Sequence, residues 1–167
     1  MLNAELDSKV LTRAKNTAYR LLTYRPRSGA EIEAKLRDKE FADGIIKQVL
    51  SDLGRLGYVN DHVFARQWTE SRIRLRGFGR RRIKQELKAK GVAPDIVDEV
   101  FAGVFGDRTE LETAKQVVEN KHRIMKALAP DTRRRRLAGI LERKGFSFDI
   151  IRIVLKGTDR LDASLDQ

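Results

Sequence analysis

Apolar residues recur every three to four positions along most of the chain, the spacing of one buried helix face. After Asp43 the run Ile45, Ile46, Val49, Leu50, Leu53 and Leu56 keeps this period and stops at Gly57, a residue suited to a left-handed terminator. Ser28 followed by Glu31 fits a capping box, opening a helix that carries Ile32 and Leu36. Asp61, after Asn60, is expected to cap a helix presenting Phe64, Trp68 and Leu75. Pro94 and Asp95 open another, with Ile96, Val97, Val100, Phe101 and Val104 as its stripe. Leu111, Ala114, Val117, Val118, Ile124 and Met125 continue the pattern, with Lys121 interrupting it at the surface end. No stretch shows the strict alternation of a strand. The expected fold class is all-α.

The helices repeat. When residues 31–41, 82–92 and 136–146 are laid over one another, Ile32, Ile83 and Leu137 coincide, as do Leu36, Leu87 and Leu141, then Phe41, Val92 and Phe146. Ile45, Ile96 and Ile150 follow at one common spacing, and Val49, Val100 and Val154 at another. Each block has a further helical stretch upstream: Ala14 to Leu22, Phe64 to Leu75, and Leu111 to Met125. The chain therefore parses into three tandem three-helix, helix-turn-helix-like units of about fifty residues. Their expected limits are 1–58, 59–106 and 107–158, with 159–167 as a frayed tail. Such units stack because none buries its apolar face alone, so an elongated, curved array is expected.

Composition narrows the chemistry. The 167 residues include no cysteine, which removes disulfides, thiolate catalysis and thiolate zinc sites together. His62 and His122 stand apart from any ligand set at metal spacing and read as surface or packing residues. The opening MLNAELDSKV is mixed and acidic, unlike a leader, and no apolar run approaches the roughly 20 residues that span a bilayer. A cytoplasmic protein with no membrane contact is expected.

Charge adds a surface. Lys and Arg number 35 against 24 acids, a net charge of +11. Most of that excess lies in 71–91, where Arg72, Arg74, Arg76, Arg80, Arg81, Arg82, Lys84, Lys88 and Lys90 face only Glu86. A second run is Arg133, Arg134, Arg135 and Arg136, near Arg143 and Lys144. Clustered cations mark a partner rich in negative charge. These thirteen residues, 72 to 90 and 133 to 136, are the candidate partner- or DNA-binding residues. Reversal of Arg80, Arg81 and Arg82 is expected to abolish binding while leaving the fold intact.

The stretch 56–92, LGYVNDHVFARQWTESRIRLRGFGRRRIKQELKAKGV, resembles the signature of the RecX regulatory family. A Gly-Tyr-hydrophobic-acidic turn (Gly57, Tyr58, Val59, Asp61) leads into a Phe-Ala helix at Phe64 and Ala65. Arg76, Gly77, Phe78 and Gly79 precede a helix with Ile83, Leu87, Lys90 and Gly91. TYRPRSGAEIEAKL (23–36) is similar to the family's Arg-x-x-Ser-x-x-Glu-Leu-x-x-Lys-Leu pattern; Asn60 stands where members more often carry a second acid. The third unit agrees in layout more than in residue identity. The resemblance implies three stacked three-helix repeats and a regulator that binds the RecA recombinase filament. It implies restraint of filament growth, ATP hydrolysis and strand exchange in DNA recombination and repair, without catalysis, cofactor or metal. The protein is expected to act as a monomer.

Gly57 and Gly91 read as helix C-caps, and Gly77-Phe78-Gly79 as a turn with Phe78 buried, since no third glycine or P-loop lysine follows. Tyr58, Phe64 and Trp68 read as core rather than base-stacking platforms. Asp95, Asp98 and Glu99 share a helix start that favours acids through the dipole, with no constellation that identifies an enzyme. The alternative function is direct, mostly non-sequence-specific DNA binding, single- or double-stranded, through phosphate contacts.

Overall fold

The computed structural model describes residues 2–106 and 109–163, with side chains described for 7–106 and 110–157. Among the described residues all regular structure is α-helical. The helices are α1 (Leu2–Tyr24), α2 (Gly29–Arg37), α3 (Asp43–Arg55), α4 (Asp61–Arg76), α5 (Arg80–Ala89), α6 (Pro94–Val104), α7 (Thr109–Ile124), α8 (Pro130–Arg143) and α9 (Phe148–Ala163). Of the stretch expected to be a frayed tail, 159–163 belong to α9 and 164–167 lie outside the described residues.

The middle helix of each repeat ends in the same way. Phe41, Val92 and Phe146 donate their amides to Leu36, Leu87 and Leu141, while Glu40, Gly91 and Gly145 donate to the carbonyls of Arg37, Lys88 and Glu142. That pair of bonds is a Schellman motif, and its accompanying apolar contact joins the columns aligned in the sequence. The terminating residue is left-handed in all three, with φ of 60° at Glu40, 73° at Gly91 and 86° at Gly145. Glycine is required at the latter two by neighbours as well as by φ. A Cβ on Gly91 would run into the Ala30 side chain, and one on Gly145 into the Arg82 backbone. Glu40 is exposed and tolerates its side chain.

The chain folds as two compact units: residues up to Ala65 with Leu87–Val97, and Arg66–Glu86 with the residues from Asp98 onward. The middle repeat is divided between them. In the first unit α1, α2 and α3 bury Ala14, Ala18, Ile32, Leu36, Ile46, Val49 and Leu53 together. Removing such side chains from water supplies most of the stabilisation, about 1.5–3 kcal/mol for each large one. In the second unit α7, α8 and α9 bury Ala114, Val118, Leu137, Leu141, Phe146, Val154 and Leu155.

Each unit joins one middle helix to the end of the next. In the first, Ser28 Oγ before α2 accepts the Glu31 amide at 3.1 Å and donates to the Lys90 carbonyl at 2.5 Å. In the second, Gly79 occupies the column of Ser28, and its amide donates to the Lys144 carbonyl at 2.9 Å, with Arg81 N bonded to Gly145 O at 3.1 Å. Carbonyls at one helix's negative end thus meet the positive start of another. Gly79 lies so close to Gly145 that a Cβ would sit 2.7 Å from its carbonyl oxygen. The third repeat uses this column differently. There α8 has 14 residues against 9 in α2 and 10 in α5, and Arg133 fills the place of Ser28 and Gly79.

Several expectations need correction. The cap of α4 is Asn60, whose Oδ1 accepts the Val63 amide at 3.1 Å. Asp61 instead accepts the Gly29 amide at 2.8 Å, placing one carboxylate at the positive start of α2. Tyr58 is 57% exposed, although its ring meets Tyr19 edge to face at 5.3 Å. Leu56, Leu75 and Ile124 extend their stripes into solvent, because each sits in the last turn or cap of its helix. Phe78 and Trp68 are half-buried, whereas Phe64 is core. His62 is exposed and His122 buried.

Candidate functional site

The candidate cations do not form one class. Lys90 is only 17% exposed and its Nζ lies 3.0 Å from Glu31 Oε1. Arg25 holds the same carboxylate, with Nη2 2.9 Å from Oε1 and Nη1 3.2 Å from Oε2. Burial alone would raise the Glu31 pKa, but the hydrogen bonds from Arg25 and Lys90 outweigh it and hold the carboxyl down at about 2. This triad sits beside the Ser28 junction and belongs to the fold.

Four more candidates are tied inward. Arg72 Nε binds Glu86 at 2.7 Å while its guanidinium lies 3.8 Å from the Trp68 ring centroid, and Trp68 Nε1 donates to the same carboxylate at 2.9 Å. Arg80 donates to the Phe105 carbonyl at 2.6 Å and pairs with Glu110 at 3.3 Å. Arg82 lies near Glu86 at 3.6 Å and 5.6 Å from the Phe78 ring. Arg133 is buried, and its Nη1 donates to the Lys126 and Leu128 carbonyls at 3.2 Å each. Reversing Arg80 therefore disturbs the structure itself, and a clean test of binding must leave it in place. Lys84 pairs with Asp98 at 2.7 Å but stays half-exposed.

The remaining candidates face solvent. Arg74 and Arg76 end α4, Arg81 and Lys88 lie on α5, and Arg134, Arg135 and Arg136 are exposed on α8. Among the described residues no carboxylate pairs with Arg74, Arg76, Arg81, Lys88, Arg135 or Arg136.

Two cations outside the candidate set matter as much. Lys121 of α7 and Lys144, just after α8, share a recess of about 260 Å³ with Arg74 and Arg76, all within the second unit. Lys144 Nζ donates to the Arg76 carbonyl and lies 5.4 Å from the Phe78 ring. Burial, then the nearby charges of Lys121 and Arg76, push its pKa below the ordinary lysine value. The repeat register could have found it: Lys144 stands in the column of Lys90, and Arg82 stands where Lys90 has its partner Glu31. Among the described residues no group of His, Asp or Glu is arranged to hold a metal ion, and no helix is long and apolar enough to cross a membrane.

These features define a helical-repeat protein whose second unit carries most of the net positive charge. Family models of the first, second and third three-helix domains of RecX match residues 14–53, 60–100 and 108–155. Regulatory protein RecX of Streptomyces coelicolor is 40% identical over 134 residues, covering 80% of this chain and 71% of its own length. That of Chlorobaculum tepidum is 34% identical over 151 residues, covering 90% and 91%. The crystal structure of RecX from Lactobacillus salivarius superposes with a TM-score of 0.82 at 23% identity, over 91% of this chain and 98% of that one, and so shares its fold. The chain belongs to the RecX family of regulatory proteins.

Proposed function

We propose that this protein binds filaments of the RecA recombinase and restrains them, lowering ATP turnover, filament growth and strand exchange by binding rather than by catalysis. Family membership supports the regulatory role, and one observation carries the contact surface. Arg74, Arg76, Arg81, Lys88, Arg135 and Arg136 keep their charge without a carboxylate partner among the described residues. Unpaired surface cations lower stability by self-repulsion, so their clustering favours an anionic partner. Arginine suits acidic protein and phosphate alike, since its planar fork binds either bidentately. Tandem repeats offer several weak contacts to successive protomers, and contacts made together gain through effective concentration.

The test is DNA-dependent ATP hydrolysis by the cognate recombinase, titrated with wild-type protein and with the double variant Arg81→Glu/Lys88→Glu. Wild type is expected to suppress turnover below one molecule per protomer, and the variant to lose that effect with its melting temperature unchanged. Full suppression by a folded variant would move the contact elsewhere.

A further inference from the structure

The recess between the end of α4, α7 and Lys144 differs from two others among the described residues. One beside α5 contains Asp98, already paired with Lys84, and one in the first unit contains Asp38 and Glu40. This one contains Arg74, Arg76, Lys121 and Lys144, and none of the residues lining it is acidic. Gln116 and Asn120 add amide donors beside the cations.

The repeat makes the charge imbalance more than a chance of composition. Lys90 and Lys144 hold equivalent positions, and both present a carbonyl to the start of a neighbouring middle helix. Lys90 faces Glu31 and is neutralised. Lys144 has Arg82 in that column and turns instead to the Arg76 carbonyl, with Lys121 and Arg76 as its charged neighbours. Gly77, at φ 57°, lets this end of α4 approach α7 so closely that a Cβ would lie 2.7 Å from Val117 Cγ2. Close packing therefore gathers like charges that an acid could have relieved.

We propose that this recess is a phosphodiester-binding site for single-stranded nucleic acid, occupied by the free protein without the recombinase. Four cations exceed what one carboxylate requires, whereas successive phosphates supply several charges along one strand. Arg and Lys with Asn and Gln are the usual donors to phosphate oxygens. Leu75, 66% exposed at the rim, offers apolar surface to a sugar or base. A flexible strand can turn a phosphate into a recess of this size, which a rigid duplex backbone meets less readily.

The test is fluorescence anisotropy of a labelled oligothymidylate titrated with the full chain across a salt series. Lys121→Glu is expected to weaken binding about tenfold and to flatten the salt dependence by about 0.7 per lost phosphate contact. Lys47→Glu, at an exposed position of α3 in the first unit, changes net charge equally and is expected to weaken binding less than about twofold. Equal losses in the two variants would mean that net charge alone attracts the strand and would overturn the site. Displacement by polyglutamate at equal charge concentration, or equal affinity for duplex, would overturn the choice of ligand. A second readout is the Lys144 ammonium followed by NMR. Its titration is expected to move upward on adding oligothymidylate, and an unmoved titration counts against the site. No recombinase enters these measurements, so their failure leaves the ATP-turnover test standing, and the reverse.

Discussion

Lys90 and Lys144 occupy the same place in successive repeats, at the end of a middle helix just before a left-handed glycine. In the first unit the lysine meets Glu31, and that carboxylate is shared with Arg25 and lies beside the capping serine. In the second, Arg82 replaces the acid, and the lysine joins Arg74, Arg76 and Lys121 in a recess without any. One backbone design thus serves two electrostatic ends. The first unit directs its junction charge toward holding the fold, and the second leaves its charge for a ligand. The difference lies in one column of the repeat, where Glu becomes Arg.

Breaking the second junction should give the largest effect. Gly145→Ala forces an alanine into φ 86° and drives its Cβ into the Arg82 backbone. A loss of about 2–5 kcal/mol is expected from the left-handed conformation and overpacking together. Urea unfolding measures it, and a change under about 0.5 kcal/mol would show that the two helix ends are not tightly joined.

Glu31→Gln tests the first junction with a smaller effect. Glutamine keeps the capping geometry but removes the charge facing Arg25 and Lys90, at a cost of about 2 kcal/mol near neutral pH. The pH dependence follows from the depressed carboxyl. The folded protein holds Glu31 ionised to about pH 2, while the unfolded chain takes up the proton near its ordinary value of 4.5. Its stabilisation is therefore complete above that value and is lost as pH falls toward 2. Thermal unfolding of wild type should approach that of Glu31→Gln over this window. Parallel curves for the two proteins down to pH 2 would show that the ion triad contributes no stability.

Arg82→Glu sharpens the comparison with the smallest change in stability, within about 1 kcal/mol, because Arg82 is half-exposed and its pairing with Glu86 is loose. The variant gives Lys144 the partner that Lys90 has. Its ammonium should then titrate at higher pH by NMR, and oligothymidylate should bind more weakly. An unmoved Lys144 would mean that residue 82 does not decide the difference between the junctions.

The helices, their repeat and the Ser28–Glu31 cap were legible because each depends on residues within a few positions of one another. The matched columns Leu36, Leu87 and Leu141 proved to be Schellman carbonyls, and Phe41, Val92 and Phe146 their amide donors. The apolar stripes were followed too far at Leu56, Leu75 and Ile124, since a period continues past the point where a partner helix covers it. At α4 the cap fell on Asn60, because Asp61 is held by Gly29, a residue thirty-two positions away.

The candidate cations divide for the same reason. Their number and clustering were plain in the sequence, but the acids that hold Lys90 and Arg80 lie 59 and 30 residues away. Lys121 and Lys144 stood outside the candidate set because neither belongs to the two main basic runs; helix packing alone brings them beside Arg74 and Arg76. The sequence by itself determined three helical repeats, their terminators and an excess of positive charge. Only the tertiary structure decided which cations are neutralised, because ion pairing depends on distances of a few ångströms between residues far apart in the chain.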